Sequence, residues 1–474
     1  MKIGSKIHGS WARFGLFVAL LCAHISASCC LSPTPAALAQ SVPLNPPARP
    51  DALPDIAPNI PLSNAKDKHP NLRLLSDRLP QAPTVAPAFR IPVDTLGFTA
   101  PGPIYLGKRN SLASLGFLGD DHLLFTFRVP GLIRRETVQA EKEDERQIQA
   151  VVLEVKTGRI EAEALWTVHD RAQYLWMLKD GHFLLRDRDG LQQGDSSLVL
   201  KPLLQFPGPV QWLEMDPQQL YMVTNSHEPA KVDSKPGQVD SPATAAVTID
   251  VDGQNPTAPP DTVLRIIERA SGKVMLVSRV RSSVPLPING DGYLERLRGN
   301  GQMWLLNLKY FTGGSRILGR VESSCSPVVD FIAQSELFVT GCTPWGANRL
   351  AGFTTDGRRL WEEDTTVAET WPISSKGADG SRIAFETLEV SRPVNAFNPL
   401  DAGDIRGQVV RILNAADGTV ALEAKANPPL DAGGNVAISP TGRKVAILID
   451  GAIQIFDLPP APAIPAPPTK VAAR

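Results

Sequence analysis

Several things are scarce in this 474-residue sequence, and each scarcity removes a class of function. It has seven histidines and five cysteines, with no His-x-His, HExxH or C-x-x-C spacing, so no ready-made metal or redox centre can be read from it. No Gly-x-Ser-x-Gly elbow, phosphate loop or dinucleotide fingerprint occurs; "GNGQMW" and "GGNVA" precede strands rather than open helices. Charge is nearly balanced at −1, and no basic cluster argues for nucleic acid. Long runs with a 3.6-residue apolar period are missing, which argues against a helical fold. Proline, at 43 residues, is what the sequence has in excess.

The N-terminus has Lys2, Lys6 and Arg13, an apolar stretch from Phe14 to about Ala27, and then "PAALAQ". That order predicts a signal peptide over residues 1–39 with cleavage after Ala39, and hence an exported protein, periplasmic or extracellular. The apolar stretch is short of the ~20 residues that span a bilayer, and no later segment replaces it. Cleavage before Cys29 or Cys30 to give a lipoprotein is the competing reading; Ser26-Ala27-Ser28 lacks the usual leucine three positions upstream. Losing Lys2, Lys6 and Arg13 takes the formal charge from −1 to −4. Cleavage also removes Cys22, Cys29 and Cys30, leaving Cys325 and Cys342. Two thiols in an oxidising compartment, at the ends of a strand–turn–strand stretch, are expected to form a disulfide.

Residues 40–103 are dense in proline and are expected to be a spacer, disordered or polyproline-like; residues 459–474 read as a disordered tail. Between them, short runs such as "HLLFTFRV", "QAVVLEV", "MWLLNLKYF" and "KVAILID" alternate with turn residues, the pattern of an all-β chain. Four stretches share a strand, a Thr-Gly, Ser-Gly or Asp-Gly turn, and a second strand: "AVVLEVKTGRIEAEALWTV", "TVLRIIERASGKVMLVSRV", "NRLAGFTTDGRRLWEED" and "QVVRILNAADGTVALEAKA". Four-stranded units recurring in this way predict a β-propeller over 104–458. Seven blades fit, at about 112–169, 172–206, 210–280, 286–321, 327–366, 371–424 and 435–458. The last shows three strands, so a strand from before the first blade should complete it, and "PGPIYLGKRN" (101–110) is the candidate.

"NVAISPTGRKVAILIDGAIQIFDL" resembles a repeat of the WD40 or YVTN propeller superfamily, through its Ser-Pro-x-Gly-Arg turn at Ser439–Arg443. "TTDGRRLWEED" resembles the Gly-x-x-x-Trp turn of quinoprotein-type repeats. The resemblance implies the fold and leaves the function open, because propellers host enzymes, scaffolds and binding modules alike.

Candidate residues for chemistry are few. His122, His169, His182 and His227 fall on different strands or turns. Asp187, Asp189 and Asp195, and Asp250 with Asp252, faintly resemble calcium loops, but tight hairpin turns explain them better. His169 and Asp170 in "WTVHDRAQYLW" lie at a blade-to-blade crossing and are read as a structural turn or network rather than a catalytic pair. The tryptophans at 166, 176, 212, 304, 345, 361 and 371 are read as inter-blade packing. Two long polar stretches, "IRRETVQAEKEDERQIQ" and residues 228–261, are insertions into the first and third blades. The expected protein is therefore a monomeric exported binding module for an unknown protein or envelope ligand, with no cofactor or metal. A propeller-class enzyme (lactonase, hydrolase or quinone-dependent dehydrogenase) with a composite site at the central mouth is the alternative.

Overall fold

The chain divides into two units, Met1–Lys66 and Asp67–Arg474. The computed structural model describes residues 72–74, 85–101, 111–130, 145–169, 172–228, 261–281, 285–392, 394, 400–430 and 432–463, all in the second unit. The expected signal peptide, most of the spacer and residues 464–474 lie outside the described residues. Among those described, no helix is long and apolar enough to cross a membrane.

The second unit is all-β, with seven antiparallel sheets in a ring. Blade one runs from Ala113–Phe117 to Ile160–Val168, blade two from Leu175–Met177 to Lys201–Gln205, and blade three from Val210–Met215 to Val274–Val280. Blade five spans Val328–Ala333 to Arg359–Asp364 and blade six Glu369–Lys376 to Val420–Ala426. In blade four the strands Gly292–Arg298, Met303–Tyr310 and Ser315–Glu322 are regular. Its innermost position is filled by residues 285–289, which pair through the Ile288–Tyr293 bridge and a 2.8 Å bond from Leu294 N to Pro287 O.

Blade seven (Val436–Ile438, Lys444–Ile449, Ala452–Asp457) is completed from the N-terminal side, as expected, but by another segment. Phe89–Pro92 pairs antiparallel with Ala452–Asp457, so the closing strand comes from inside the stretch read as spacer. The candidate at 101–110 lies almost wholly outside the described residues. Ile91 and Val93 are buried between blades seven and one, which gives this short strand a packing role its composition conceals. Leu72–Leu74 adds a further, parallel strand to the outer edge of blade five, with Arg73 in register opposite Glu363.

The core is divided rather than central. Seven apolar clusters form, each joining two neighbouring blades; Trp166 against Phe183 joins one to two, and Trp361 against Phe338 belongs to the five–six cluster. This explains why the second strand of a blade is buried along nearly its whole length, as in His122–Arg128, where both faces meet a neighbour. The repeated Gly turns are the hairpins between third and fourth strands. Gly158, Gly272, Gly357 and Gly418 all hold φ between 68° and 93° there, a region costly for residues with a Cβ. The ladder register shifts beside each of these hairpins, at Val152/Leu153, Ile266/Ile267, Gly352/Phe353 and Ile412/Leu413.

Candidate functional site

Strand direction gives the ring two unlike faces. Each first strand leads into a turn on one face, here the turn face, which also carries the hairpins between third and fourth strands. The links from second to third strands and from blade to blade lie on the other, the insertion face.

The turn face is fastened blade to blade. Lys179 N donates to Gln219 Oε1 (2.7 Å), joining blades two and three. Gln218 Nε2 donates to Gln334 Oε1 (2.6 Å), and Asn289 Nδ2 donates to Gln334 O (3.1 Å), so one glutamine of blade five holds both blades three and four. Thr441 Oγ1 donates to Asp120 Oδ2 (2.6 Å) across the seam between blades seven and one. At Gly442 a Cβ would lie 2.4 Å from Ser381 Oγ, which is how closely the turns of blades six and seven approach.

The insertion face carries the long connections. Residues 129–145, 228–261 and 391–404 all join second to third strands, in blades one, three and six, so all three leave and re-enter on this face. The third of these was not recognised as an insertion from sequence. Each is anchored at its base. Arg146 Nη1 donates to Ser111 O (3.3 Å) at the first. Glu228 at the second takes a bidentate pair from Arg265 (2.6 and 2.8 Å). Burial opposes ionisation of Glu228, but hydrogen bonds from Arg265 and Ser226, with the charges of Arg265 and Arg279, outweigh it and hold the carboxyl below its ordinary range. At the third, Arg392 grips Asp404 (3.0 and 2.6 Å), and the bond from the Asp401 backbone N–H helps hold that carboxyl low.

Blade five gives this face its exposed apolar surface. Val328 begins its first strand, Trp345 sits in its second-to-third turn, and Val367 lies in its link to blade six; they are 48%, 63% and 46% exposed. The turn beneath Trp345 is stiff: Thr343 Oγ1 donates to Ala347 O (3.1 Å) while Ala347 N donates back to it (2.9 Å). Cys325 and Cys342 lie with their sulfurs 2.07 Å apart, at disulfide distance, tying the link from blade four to the base of the same turn.

The central channel holds a polar cluster that sequence reading missed. Burial, and then the charge of Asp330 of blade five, raise the Glu214 carboxyl of blade three well above its ordinary range, while the charges of Lys376 and Arg296 oppose the shift. Ser374 Oγ of blade six donates to Asp330 Oδ2 (3.1 Å), and Lys376 Nζ donates to Phe331 O (2.7 Å). The only local signal was a charged residue inside each apolar inner strand, "WLEMD" and "VVDFI".

The residues singled out from sequence do not converge. His122, His182 and His227 each face a separate carboxylate, Glu161, Asp180 and Asp261. His169 bridges blades one and two: its backbone N–H donates to Asp187 Oδ1 (3.0 Å), and its Nδ1 lies 2.8 Å from the same oxygen. Asp170, Asp250 and Asp252 lie outside the described residues. Asp195 accepts from Ser197 N and Oγ (2.8 and 2.6 Å), a local turn bond. Trp345 departs from the expected packing role, being the most exposed of the large apolar residues among those described.

No protein-family model and no curated protein matches the sequence. Solved structures align with it over most of its length. The C-terminal WD40 domain of Sif2 aligns over 79% of this chain and 98% of its own, at 10% identity and a TM-score of 0.40. Sqt1 of Chaetomium thermophilum, bound to the N-terminus of ribosomal protein L10, aligns over 74% and 97%, at 10% identity and 0.39. Acylaminoacyl peptidase of Pyrococcus horikoshii aligns over 72% of this chain and 50% of its own, at 11% identity and 0.42. The seven sheets in a ring make the fold a seven-bladed β-propeller.

Proposed function

We propose that this protein is an exported binding module that engages a protein partner through the insertion face of its propeller. The observation that carries the reading is the exposure of Trp345. It stands 63% exposed on an internally bonded turn, on the face where Val328 and Val367 are also exposed and that receives all three anchored insertions. A tryptophan presented on such a turn buries a large apolar area on binding, the profile of an interface anchor. Export rests on the N-terminal sequence, where a basic start, an apolar stretch and an Ala-x-Ala site occur in the order of a leader. The turn face, by contrast, spends its polar groups on neighbouring blades.

The reading is tested by affinity capture from the native host's exported fraction with three baits: the parent, Trp345→Ser, and Leu220→Ser on the turn face. Leu220 is 50% exposed and serves as a matched control. A partner retained by the parent and the control but lost with Trp345→Ser supports the insertion face. Equal retention by all three baits overturns it. The enzyme alternative makes a different demand, that turnover of a substrate falls when Glu214 in the channel becomes Gln while capture is unchanged.

A further inference from the structure

Arg382 opens the second strand of blade six at the turn face, and its side chain is 1% exposed. A guanidinium carries five N–H donors and stays charged inside a protein. Here Nη2 donates to Pro459 O, while Nε and Nη1 have no partner among the described residues. Unmet donors on a buried cation cost more than one hydrogen bond returns. The neighbouring turn adds a second cation. A Cβ on Gly442 would press on Ser381 Oγ and lie 2.7 Å from Asp379 Oδ2, so the blade-seven turn that bears Arg443 abuts the blade-six turn that bears Arg382. Arg443 is exposed, and its Nε donates to Leu458 O (3.1 Å), one residue before the carbonyl that Arg382 uses.

The charges at this seam do not balance. Asp379 is engaged by its own turn, accepting from Ser381 N (3.0 Å) and Ser381 Oγ (2.7 Å). Lys444, next to Arg443, is paired with Asp457 (2.7 Å). Two guanidiniums against the one carboxylate of Asp379 leave a single positive charge. Burial disfavours the Arg382 cation; Asp379 favours it and Arg443 works against it. The Pro459 carbonyl offers one neutral oxygen, which occupies half of a donor fork. A carboxylate would fill the fork with two oxygens and neutralise the charge. We propose that Arg382 and Arg443 form a binding site for a small carboxylate at the turn-face seam of blades six and seven, with the Pro459 carbonyl standing in the ligand's place.

The segment that covers Arg382 is free to yield. Residues 459–463 follow the last strand without joining a sheet, and Pro459, Pro460, Pro462 and Ala463 are exposed. Three of these five residues are prolines, which have no N–H to fix them to a neighbour. The bond from Arg382 to Pro459 O is also the bond that a carboxylate replaces, so binding releases the chain beyond Leu458. Arg443 is open to solvent and meets the ligand first; Arg382 is recessed beneath the segment, which restricts the ligand to a small one. The site lies on the face opposite Trp345 and stands independently of the partner surface proposed there.

The test uses the full chain with isotopically labelled arginine side chains, followed by NMR during titration with sodium acetate, sodium sulfate or sodium chloride at equal ionic strength. Arg382→Gln identifies the Arg382 Nε–H signal by its loss. Acetate should shift that signal saturably, and chloride should leave it in place. Arg443→Gln, at an exposed position, should weaken acetate binding several-fold without lowering the melting temperature. Proteinase K should remove the chain beyond Leu458 faster in acetate than in chloride with the parent, and at equal rates with Arg382→Gln. A shift with sulfate and none with acetate would overturn the carboxylate assignment. No saturable shift, or an acetate shift that Arg443→Gln leaves unchanged, would overturn the site. If Arg382→Gln does not fold, the parent titration and Arg443→Gln carry the comparison.

Discussion

The two faces of this ring are built from the same strands and differ in how their polar and apolar groups are used. On the turn face, Gln218, Gln219, Gln334, Asn289 and Thr441 bond across blade boundaries, and the short turns close the ring on itself. On the insertion face, arginines anchor the bases of the long connections, while Trp345, Val328 and Val367 are left to solvent. The turn face is made of short turns bonded to one another, and the insertion face of long connections with Trp345 open above blade five. A propeller suits that division, because its blades pack through seven lateral cores and depend on neither face for burial.

The sharpest way to break the comparison is to break the ring. Deleting Phe89–Pro92 removes the fourth strand of blade seven and should abolish the cooperative thermal transition. Ile91→Ala, the milder form, should cost ~3 kcal/mol in denaturant melts. A retained transition after the deletion would show that closure comes from another segment.

Next in size is Glu386. Burial pushes its carboxyl up to about 8, so its contribution to stability is present below the ordinary carboxylate range and lost between about pH 4.5 and 8. Gln408 Nε2 already donates to it (2.8 Å), and Glu386→Gln leaves an acceptor there. The variant should be more stable than the parent at pH 8, on the order of 4 kcal/mol, with the advantage gone at pH 5. An unchanged pH profile would contradict this.

On the insertion face, Cys342→Ser should lower stability by ~3 kcal/mol through a longer free loop in the unfolded chain. Mass spectrometry of the protein with and without reductant checks that the bridge forms. Smaller still is His169→Ala, which removes the ring contact to Asp187 between blades one and two and leaves the backbone bond to the same carboxylate. A loss of ~1 kcal/mol in melting experiments is expected, as for a single hydrogen bond. Trp345→Ser should change stability least, within ~0.5 kcal/mol, because its side chain is mostly solvated. A large destabilisation there would turn the proposed anchor into a structural residue.

The blades were legible because their signal is local. Gly158, Gly272, Gly357 and Gly418 sit at one equivalent turn, and the apolar runs beside them are strands buried on both sides. The pairing distance of Cys325 and Cys342 was legible for the same reason, since one hairpin brings them together. The closing strand was hidden by its company. "FRIP" is four residues long, ends in proline and lies in a proline-dense stretch, and an edge position tolerates what a central strand would not. The channel cluster was hidden by distance, since Glu214, Asp330 and Lys376 meet only when the ring closes. Trp345 was misread because composition cannot distinguish a tryptophan that packs from one that waits on a turn.

The central claim, that partners meet the insertion face, is tested most directly by placing a photo-crosslinking amino acid at position 345 or at position 220 in the full chain and irradiating the native host. The account predicts a discrete adduct to another protein from position 345 and none from position 220. Adducts from position 220 alone, or the same adducts from both, would contradict it.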